Sequence, residues 1–598
     1  MYDRQLWKTV KALLHPGQQR QWFEGQNTEQ LASSISAFFA NKLRSVKTSV
    51  AAGLASAIGG VDVCPPPQLP ISTMSSFDPV DPIEVERIIN QLQPKTSPLD
   101  IVPVSVMKQC KAELSVVIAN LANLSFTSGC FPTMMKIGWV TPLLKKAGLD
   151  VTDFKNFRPI TNLSTISKLL ERLAHNRLKQ CITASPNFSR LQSAYRQGHS
   201  TETALTKIMD DIFGAIDDGS VVALMSLDIS AAFDAVNHDV LIQRLEDEFG
   251  IAGMCGKWIR SYLTDRSSVV HVGRSSSAAD PVVFGVPQGS VLGPMLYTAY
   301  VAPVGRLIEG YNICFHQYAD DTQLYTRLTV PSATAFDCLR QCTEALQRWF
   351  WYNGLLLNPD KSVVTYFGTH SRLQKTALPT HVSVAGCDIA VSDKLTVLGV
   401  TIDSELTMDQ HVNNVVKNCN YHLQALRHIR SSVPRDVANT IACSIIHSRI
   451  DYCNSLLLGV SGKNIDKLQR VQNRAARIVC GVKHRLSRSS ELLRDLHWLA
   501  VHNRIAFKSA TLCFKAHRLN QPPYLSDALQ QYVPLRNLRS SSLGLLVEPF
   551  ARTKIGSRRF SVAAPRIWNE LPSICRASNT LSSFKCSLKT HMFRQNIV

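Results

Sequence analysis

The chain has 598 residues, of which 45% are hydrophobic and 18% are charged, so it has room for several domains and enough apolar residues to bury a large core. This composition excludes a protein that is disordered throughout. The formal net charge is +20, but residues 411–598 contain 29 of the 65 Lys and Arg and only 8 of the 45 Asp and Glu. The basic excess therefore lies in the C-terminal third, where it predicts a surface that binds a polyanion.

Several other classes of protein are excluded by patterns that are missing. The 16 cysteines include no CxxC pair that would indicate a zinc site, and the N-terminal residues do not have the pattern of a secretory signal. No run of about 18 apolar residues occurs, so we expect no membrane span. The sequence predicts a reduced, intracellular protein.

Residues 1–80 contain one predicted helix, near residues 29–47. An Ala-, Gly- and Ser-rich stretch follows it, and then Pro65, Pro66 and Pro67. Small residues and consecutive prolines are typical of a linker. We therefore interpret residues 1–80 as a linker or N-terminal remnant.

Two later segments place unusual residues just before a helix. Residues 157–160 (FRPI) precede a predicted helix that carries Lys168, Arg172 and Arg177. Residues 285–294 (GVPQGSVLGP) form a Gly- and Pro-rich turn before another predicted helix. Because glycine lets the backbone approach a ligand closely, this turn is a candidate binding element.

Three carboxylates end or interrupt predicted strands. Residues 221–227 (VVALMSL) predict a buried strand that ends at Asp228, and residues 231–233 (AAF) lead into a predicted helix that ends near residue 250. Residues 313–318 and 322–326 predict a hairpin whose tight turn contains Asp320 and Asp321. At one edge of a sheet, the three carboxylates could hold two divalent metal ions, as nucleotidyl transfer requires. The alternative for the Asp-Asp pair is that Asp simply favours turns and strand ends.

Further strands follow the Asp-Asp pair. The sequence Asn358-Pro359-Asp360-Lys361 opens a predicted strand that continues over residues 363–367. Residues 395–402 predict another strand, which precedes a set of helices.

The helix predicted over residues 464–480 is amphipathic and has one basic face. Its apolar face consists of Ile465, Leu468, Val471, Ala475, Ile478 and Val479. Its opposite face consists of Lys467, Arg470, Arg474 and Arg477, which only Asp466 offsets nearby. Solvated faces usually mix charge signs, so this face is a candidate nucleic-acid surface, with an ordinary solvated face as the alternative. Further basic residues cluster at 483–485, 488 and 552–559.

The chain resembles the reverse transcriptases of non-LTR (LINE-type) retrotransposons, of the jockey superfamily. The resembling stretches, in the family's order, are FRPITNLSTISKLLER, QSAYRQGHSTETAL, LDISAAFDAVNHDVL, GVPQGSVLGPMLY, YADDTQLY, NGLLLNPDKSVVTYFG and VLGVTID. The resemblance continues through SRIDYCNSLL, LQRVQNRAARIV, LHWLAVHNRIAFK and FSVAAPRIWNELP, so it extends from about residue 80 to the C-terminus. None of these stretches is decisive alone, but seven in one order are highly specific.

The resemblance implies an α/β (α+β) fold, that of a right-hand polymerase with fingers, palm and thumb plus a basic C-terminal region. By this resemblance, residues 81–200 form an N-terminal extension and the fingers, and residues 201–375 form the palm with the catalytic centre. Residues 376–480 form the thumb, and residues 481–598 form a basic region that binds nucleic acid. The fold of that last region does not follow from the sequence.

The resemblance also implies a catalytic centre. Asp228, Asp320 and Asp321 would be the metal ligands, with the backbone carbonyl of Ile229 as a further candidate. Lys361 would act near the leaving phosphate, and a solvated surface lysine is the alternative.

Other residues match positions that bind nucleotide or template in the family. Arg158 matches a residue that contacts the triphosphate, and Phe233 matches the bulky residue that screens the sugar 2′ position, with an ordinary core Phe on a helix as its alternative. Gln288 and Gly289 match the turn that lies against the new base pair. Gln192 and Arg196 match a segment that contacts the template, for which a solvated loop is an equally good interpretation. Lys467, Arg470, Arg474 and Arg477 would also bind nucleic acid.

The function implied is an RNA-directed DNA polymerase that extends a DNA 3′ end on an RNA template, with two Mg²⁺ ions as cofactors and Mn²⁺ as a substitute. Its partners would be an RNA template, a DNA primer or target, and dNTPs. The nucleus is the implied location, with the cytoplasm as an alternative for a ribonucleoprotein, and no membrane is expected.

Two further expectations concern completeness and activity. Complete elements of this kind carry an endonuclease before the polymerase, and residues 1–80 have no room for one, so the nicking activity would have to come from elsewhere. The alternative function is a catalytically inactive remnant that only binds RNA. The intact Asp228, Asp320 and Asp321 favour the polymerase.

Overall fold

The structure is a computed structural model that describes residues 23–56, 64–94, 97–146, 148–328, 333–482, 488–533 and 544–595. In chain order, its β-strands are β1 (Ile137–Leu144), β2 (Phe157–Asn162), β3 (Val221–Ser230), β4 (Arg266–Val272), β5 (Ser275–Ser276), β6 (Asp280–Val282), β7 (Cys314–Tyr318), β8 (Asp321–Leu328), β9 (Leu356–Phe367), β10 (His381–Val384), β11 (Cys387–Ala390), β12 (Lys394–Val397) and β13 (Val400–Asp403).

In chain order, its α-helices are α1 (Thr28–Ser56), α2 (Pro82–Gln91), α3 (Val104–Gln109), α4 (Lys111–Ser128), α5 (Thr165–Ala184), α6 (Thr201–Asp217), α7 (His238–Asp247), α8 (Gly253–Leu263), α9 (Gly293–Tyr300), α10 (Pro303–Glu309), α11 (Ala333–Tyr352), α12 (His370–Lys375), α13 (Asp409–Ile429), α14 (Arg435–Ala442), α15 (Ser448–Ile450), α16 (Gly462–Cys480), α17 (Ser489–Asp495), α18 (Val501–Leu519), α19 (Pro523–Ser526), α20 (Phe560–Glu570), α21 (Ser573–Arg576) and α22 (Leu581–Gln595).

A four-stranded antiparallel sheet, here called the central sheet, has the strand order β7-β8-β3-β9. Its strand β3 is covered on both faces, which explains its continuous apolar run. Ala223 and Met225 contribute to a core that includes α5 and α7–α11, whereas Val222 and Leu224 contribute to a second core with α6 and α13–α18. This alternation follows from the period of two residues in a strand, and the predicted buried strand is confirmed.

A second sheet has the strand order β2-β1-β4-β5, with β6 paired to β4. Strands β1 and β2 are antiparallel, and Leu143 lies opposite Arg158. The segment predicted to precede a helix is thus strand β2, and α5 follows it after a short turn. Ser164 caps that helix by accepting a hydrogen bond from the backbone N–H of Ser167.

Helix α1 corrects the linker prediction for part of residues 1–80. It continues through the Ala-, Gly- and Ser-rich stretch to Ser56 and packs against β4 and α11. Gly53 faces the Trp351 indole so closely that a Cβ at Gly53 would lie 2.4 Å from Trp351 Cε2. The small residues therefore make room for a large side chain, and the same composition had predicted a linker.

Residues 231–237 form a turn rather than the predicted start of a helix. Helix α7 begins at His238, because the Asn237 side chain accepts hydrogen bonds from the backbone N–H groups of Asp239 and Val240. Phe233 therefore does not lie on a helix. Its carbonyl accepts a 2.9 Å hydrogen bond from the N–H of Val286, so this turn is held against residues 285–286.

The strand predicted over residues 395–402 is a hairpin of β12 and β13. Leu398 and Gly399 form its turn, and both have positive φ angles, of 47° and 80°. Such a pair of left-handed residues matches the twist of the flanking strands. Helices follow the hairpin, as the sequence predicted.

The C-terminal region, defined here as residues 501–533 and 544–595, is a helical unit that the sequence did not predict. Phe514, Trp568 and Phe584 lie at its centre, with the rings of Phe514 and Phe584 stacked at 4.5 Å. The region docks on α6, and three of the four acidic side chains of this helix accept hydrogen bonds from it. These contacts are Glu202 with Lys508, Asp210 with Ser561, and Asp217 with Thr553.

Within the described ranges, none of the helices combines the length and the apolar composition that crossing a membrane requires.

Candidate active site

Three carboxylates lie at one end of the central sheet. Tyr318 pairs with Asp321 across a two-residue turn of Ala319 and Asp320, and Ala319 has a φ of 58°. The pairing of β3 with β8 runs to Leu227 opposite Thr322, so the next residue, Asp228, stands beside Asp321. The predicted hairpin is confirmed, and the sheet register explains why residues ninety positions apart meet.

The electrostatics of the carboxylates shows that they share one site. Burial, together with the negative charges of Asp320 and Asp228, raises the pKa of Asp321 to about 6. Burial and the charge of Asp228 also raise the pKa of Asp320, although Arg158 and Lys361 oppose this. Like charges in a partly buried site disfavour ionisation, so the site is short of positive charge.

Lys361 reaches the carboxylates because β9 contains a bulge. Ser226 pairs with Val363 but Asp228 pairs with Asn358, so residues 359–362 bulge out opposite Leu227. A bulge redirects side chains and is common beside active sites. The Lys361 ammonium nitrogen lies 3.1 Å from a carboxylate oxygen of Asp228.

Two cations of the second sheet also face this site. Arg158 is exposed on β2, and its charge lowers the pKa of Asp320. Lys145 follows β1, and its pKa is lowered by burial and by the positive charges of Lys42, Lys361 and Arg158. Cations that repel one another around a group of carboxylates indicate a site built for a polyanion.

The donor set suits a hard divalent cation, because all three side chains offer carboxylate oxygens. In the ranges that the structure describes, no three His, Cys, Asp or Glu side chains are close enough to form a ready-made metal cage. The Lys361 ammonium instead occupies the position of a cation beside Asp228. Ile229, the candidate for a further ligand through its carbonyl, is buried in β3 opposite Leu357.

Phe233 stacks on Tyr297 at a centroid distance of 4.5 Å and an interplanar angle of 20°. Tyr297 is fully buried, and burial raises its pKa, with a further contribution from the charge of Asp320. The stack therefore borders the carboxylates. Phe233 itself is only partly buried.

Gln288 and Gly289 form a turn that is fixed against β2 and the Phe233 turn. The carbonyl of Gln288 accepts a 2.7 Å hydrogen bond from the N–H of Thr161. A Cβ on Gly289 would lie 2.5 Å from the carbonyl oxygen of Thr161, so this close approach requires glycine. The Gln288 side-chain amide donates to the carboxylate of Asp234 at 2.8 Å.

A cavity of about 540 Å³ opens beside this turn. Helix α1, strands β1, β2 and β4 and residues 280–288 surround it. Lys42 and Lys47 of α1 lie on one wall, and Asp234 and Gln288 lie on the other. The cavity therefore adjoins the candidate nucleotide-binding turn and belongs to the same cleft.

The structure buries Gln192, one of the two residues interpreted as template contacts. Gln192 is 2% exposed, and its amide bonds to both the N–H and the carbonyl of Ala319, at 2.9 and 3.2 Å, so it offers no free surface to a template. Arg196 donates to backbone carbonyls of residues 189, 190 and 192 and lies over the Phe188 ring. Arg196 is partly exposed, so its contact with a template stays a prediction.

The basic face on α16 exists as predicted. Leu468, Val471, Ala475 and Val479 are buried, and the charged side chains face outward. Lys467 and Arg474 donate to Asn413 and Asn420 of α13, and Arg477 donates to Ser489. Arg470 and Arg474 are exposed. Within the described parts of the chain, no acidic side chain forms an ion pair with any of the four.

The remaining basic clusters differ among themselves. Residues 483–485 lie outside the described residues. Arg558 lies over the Phe213 ring and donates to the carbonyl of Leu406, so it supports the fold. Sequence alone did not separate such structural arginines from those that remain free.

Three residues near the site were missed by the sequence analysis. Lys145 lies in none of the quoted stretches, and Asp234 lies in one (LDISAAFDAVNHDVL) but had no predicted role. Only the pairing of distant strands and turns shows that both lie near the site. Tyr195 is 56% exposed with a φ of 60°, and its pKa is raised by burial and by the charge of Asp320. A positive φ at an exposed aromatic residue is uncommon, but a sequence does not reveal it.

Residues 144–402 match the family described as "Reverse transcriptase (RNA-dependent DNA polymerase)". This part of the chain is therefore similar to reverse transcriptases. Together, the match and the arrangement of the central sheet support a mixed α/β right-hand polymerase fold. The resemblance to non-LTR retrotransposon enzymes of the jockey type is confirmed by the curated relatives of this chain.

Two relatives come from Drosophila melanogaster. The probable RNA-directed DNA polymerase from transposon BS is 28% identical over 473 residues, which are 77% of this chain and 51% of the relative. The RNA-directed DNA polymerase from mobile element jockey is 28% identical over 340 residues, which are 56% of this chain and 36% of the relative. The chain thus spans about half or less of the length of these relatives.

Among solved structures, apo telomerase from Candida tropicalis is similar over 62% of this chain and 63% of its own, with 12% identity and a TM-score of 0.33. A likeness of this strength supports no inference about this chain.

Proposed function

We propose that this chain is an RNA-directed DNA polymerase that extends a DNA 3′ end on an RNA template. The observation that carries the proposal is the meeting of Asp228, Asp320 and Asp321 at one end of the central sheet, inside the matched residues 144–402. In this proposal the central sheet belongs to the palm, strands β1 and β2 to the fingers and residues 376–480 to the thumb.

Divalent metal dependence is general in the reverse transcriptase family, and we propose Mg²⁺, with Mn²⁺ as a substitute, for this chain. Asp228, Asp320 and Asp321 would hold two ions, with the carbonyl of Ile229 as a further ligand. When bound, such ions lower the pKa of a primer hydroxyl and neutralise charge on the triphosphate. The crowding that raises the pKa of Asp321 to about 6 supports this proposal, because a cation at the site would relieve it.

The cations of the site would orient the incoming triphosphate. Arg158 is placed to pair with phosphate oxygens, for which the planar guanidinium is well suited. Lys361, now 3.1 Å from Asp228, would move to the leaving phosphate when metal binds the carboxylate. Lys145 would add a third positive charge on the side of the second sheet.

Two neighbouring turns, residues 231–237 and the turn of Gln288 and Gly289, would select the sugar and the base. The exposed part of Phe233 would contact the sugar and exclude a 2′-hydroxyl. Gln288 and Gly289 would lie against the new base pair, and the bond from Gln288 to Asp234 would fix that turn. The substrates are accordingly dNTPs.

RNA template and DNA primer would be the macromolecular partners. The basic face of Lys467, Arg470, Arg474 and Arg477 has no acidic partner among the described residues, which supports a role in binding the phosphate backbone. Because the proposed target is chromosomal DNA, we place the protein in the nucleus. The alternative of an inactive RNA-binding remnant has no observation in its favour, since all three carboxylates lie at the site.

Primer extension with purified protein on poly(rA)/oligo(dT), dTTP and Mg²⁺ tests the proposal. We expect DNA synthesis by the wild type and a loss of several orders of magnitude in Asp320→Asn, because this change keeps size and turn preference but removes a negative ligand. The matched control is Asp388→Asn, which removes an exposed carboxylate of β11 and should leave synthesis unchanged. Synthesis by Asp320→Asn at the wild-type rate would refute the assignment.

A further inference from the structure

The turn of Ala319 and Asp320, here called the catalytic turn, is held by a segment that fills the free edge of the central sheet. Strand β7 is the edge strand, and only its other side pairs with β8. Residues 191–193 lie along the free edge, where the N–H of Gln317 donates to the carbonyl of Leu191 at 3.0 Å. The N–H of Ser193 donates in turn to the carbonyl of Gln317 at 2.9 Å. The segment thus behaves as a short added strand.

Gln192 extends this pairing beyond the end of the strand. Its side chain accepts from the N–H of Ala319 and donates to the Ala319 carbonyl, so a side-chain amide takes the place of a backbone peptide. Ala319 precedes Asp320 in a left-handed conformation, which an alanine adopts only at a cost. The two bonds from Gln192 hold this conformation from outside the hairpin.

The C-terminal region holds the same segment from the opposite side. Tyr524 is 5% exposed, and its hydroxyl lies 2.8 Å from Ser193 Oγ and 2.9 Å from Thr203 Oγ1. Ser193 Oγ also lies 2.8 Å from Nε2 of His316, a residue of β7. Tyr524 is therefore the one residue of this cluster that comes from the C-terminal region.

The hydrogen bonds of this cluster are compatible with only one order of donors and acceptors. The Thr203 hydroxyl donates to the carbonyl of Ser200, so it accepts from Tyr524. Tyr524 must then accept from Ser193, and Ser193 must accept from His316 Nε2–H, because each hydroxyl has one hydrogen to donate. Burial lowers the pKa of His316 to about 3, so its ring is neutral and the direction of the chain does not change with pH in the working range.

We propose that the C-terminal region positions the catalytic turn, with Tyr524 holding Ser193, and with Gln192 of the same segment holding Ala319 beside Asp320. Tyr524 is thus a positioning residue, since it reaches the carboxylates only through the segment 191–193. The contact of Arg190 with Asp527 at 2.8 Å lies on the surface and adds little, so the buried hydroxyl carries the connection. The effect on catalysis rests on the proposed polymerase function, whereas the effect on the turn does not.

The decisive variant is Tyr524→Phe, which keeps the ring but removes the hydroxyl. Hydrogen–deuterium exchange of the peptide that covers residues 314–321 should become faster, because the partner of Ser193 is lost. In primer extension, kcat should fall by about tenfold while the KM for dTTP and the affinity for template stay the same, as for a group that acts on the geometry of the transition state. The Mg²⁺ concentration at half-maximal rate should rise.

The matched control is Ser561→Ala, which also removes one buried hydroxyl that joins the C-terminal region to α6, through Asp210 at 3.0 Å. It does not touch residues 191–193, so it should lower the melting temperature without faster exchange at residues 314–321. Ser193→Ala should reproduce the Tyr524→Phe result, and the double variant should be no worse than either single one, because both break one chain of bonds.

Two results would overturn the proposal. The first is unchanged exchange at residues 314–321 in a folded Tyr524→Phe protein. The second is an equal change in Ser561→Ala, which would mean that docking alone, and not the hydroxyl, matters. If the wild type synthesised no DNA at all, the proposed function would fail, yet the exchange measurement would still decide whether Tyr524 positions the turn.

Discussion

Phe233 is the residue whose surroundings bear most directly on the proposed substrate choice. Its ring stacks on Tyr297, and the residue is only partly buried. Phe233→Val should keep the turn but open space for a 2′-hydroxyl, so ribonucleotide incorporation should rise at least about tenfold relative to deoxyribonucleotide. Competing incorporation of rTTP and dTTP measures this ratio. Phe233→Tyr keeps the bulk and should keep the discrimination, and an unchanged ratio in folded Phe233→Val would make Phe233 a packing residue only.

Asp234 makes stability depend on pH. Burial raises its pKa to about 6, above the value near 3.9 expected in the unfolded chain. Between these two pKa values the folded state binds more protons at Asp234 than the unfolded state does. The contribution of Asp234 to the free energy of unfolding is therefore most favourable below pH 4 and falls as pH rises through 6. A shift of about two units corresponds to at most about 3 kcal/mol at pH 7.

The substitution Asp234→Asn tests this at a single residue. The variant should lose that part of the decline in the free energy of unfolding between pH 4 and 7, while the contribution of Asp321 remains in both proteins. Denaturant unfolding at several pH values measures the difference. Asp388→Asn, at an exposed site, should follow the wild type, and parallel curves for wild type and Asp234→Asn would contradict the expectation.

The meeting of the three carboxylates was predictable because their signal is local. Asp320 and Asp321 interrupt an alternating run, and Asp228 ends an apolar one, so each shows itself within ten residues of sequence. Gln192 was predicted as a template contact because its segment resembles one that contacts the template in the family. Its burial against Ala319 depends on pairing between residues 127 positions apart, which no local pattern contains.

Among the elements, helix α16 presents the clearest surface for a polyanion. Arg470 and Arg474 are exposed there without an acidic partner among the described residues. Replacing both with Gln should make the log–log salt dependence of single-strand binding shallower by up to about 1.4, since each neutralised phosphate contributes about 0.7. Fluorescence anisotropy with labelled RNA at several salt concentrations measures the slope.

The control for α16 replaces two lysines on another surface. Lys375→Gln with Lys394→Gln removes the same charge from exposed positions after β9 and should leave the slope unchanged. If the arginine variant also kept the wild-type slope, the basic face of α16 would be only a solvated surface.

Helices and strands were predicted well where a local sequence pattern determines them, and poorly where contact with a distant residue determines their bounds. The strand β3 follows from a continuous apolar run of strand length, and the helix α16 follows from a period of 3.6 residues. The end of α1 was misread because Gly53 indicates a linker unless Trp351 is known to lie against it. Helix α7 starts late because Asn237 caps it, and this signal was overlooked between two apolar runs.

At the scale of the whole molecule, the central sheet lies between two cores. Helix α6 contacts both the central sheet and the C-terminal region. The C-terminal region could not be folded from sequence because its contacts to α6 span more than 300 residues. Of its basic side chains, Lys508 takes part in these contacts, through Glu202. The region is consequently a structural support of α6 as well as a basic surface.

This dependence predicts how the molecule unfolds. Asp217 accepts hydrogen bonds from the backbone N–H groups of Arg552 and Thr553 and from the Thr553 hydroxyl. Asp217→Ala leaves those partly buried donors without this acceptor and should cost about 1–3 kcal/mol. By calorimetry, we expect the wild type to unfold in one transition that includes the C-terminal region, and Asp217→Ala to shift that whole transition to lower temperature.

The neighbouring residue supplies the control, because the Asp218 carboxylate makes its contact at the surface, with the Arg327 side chain. Its contact with Arg327 is 3.0 Å long, and the two side chains are 54% and 57% exposed. An exposed pair contributes at most about 1 kcal/mol, so Asp218→Ala should melt almost as the wild type does. A separate transition for the C-terminal region in the wild type, or equal shifts for the two variants, would show that this region folds independently of α6. The support that Tyr524 gives to the catalytic turn would then have to be measured as a contact between two independent units.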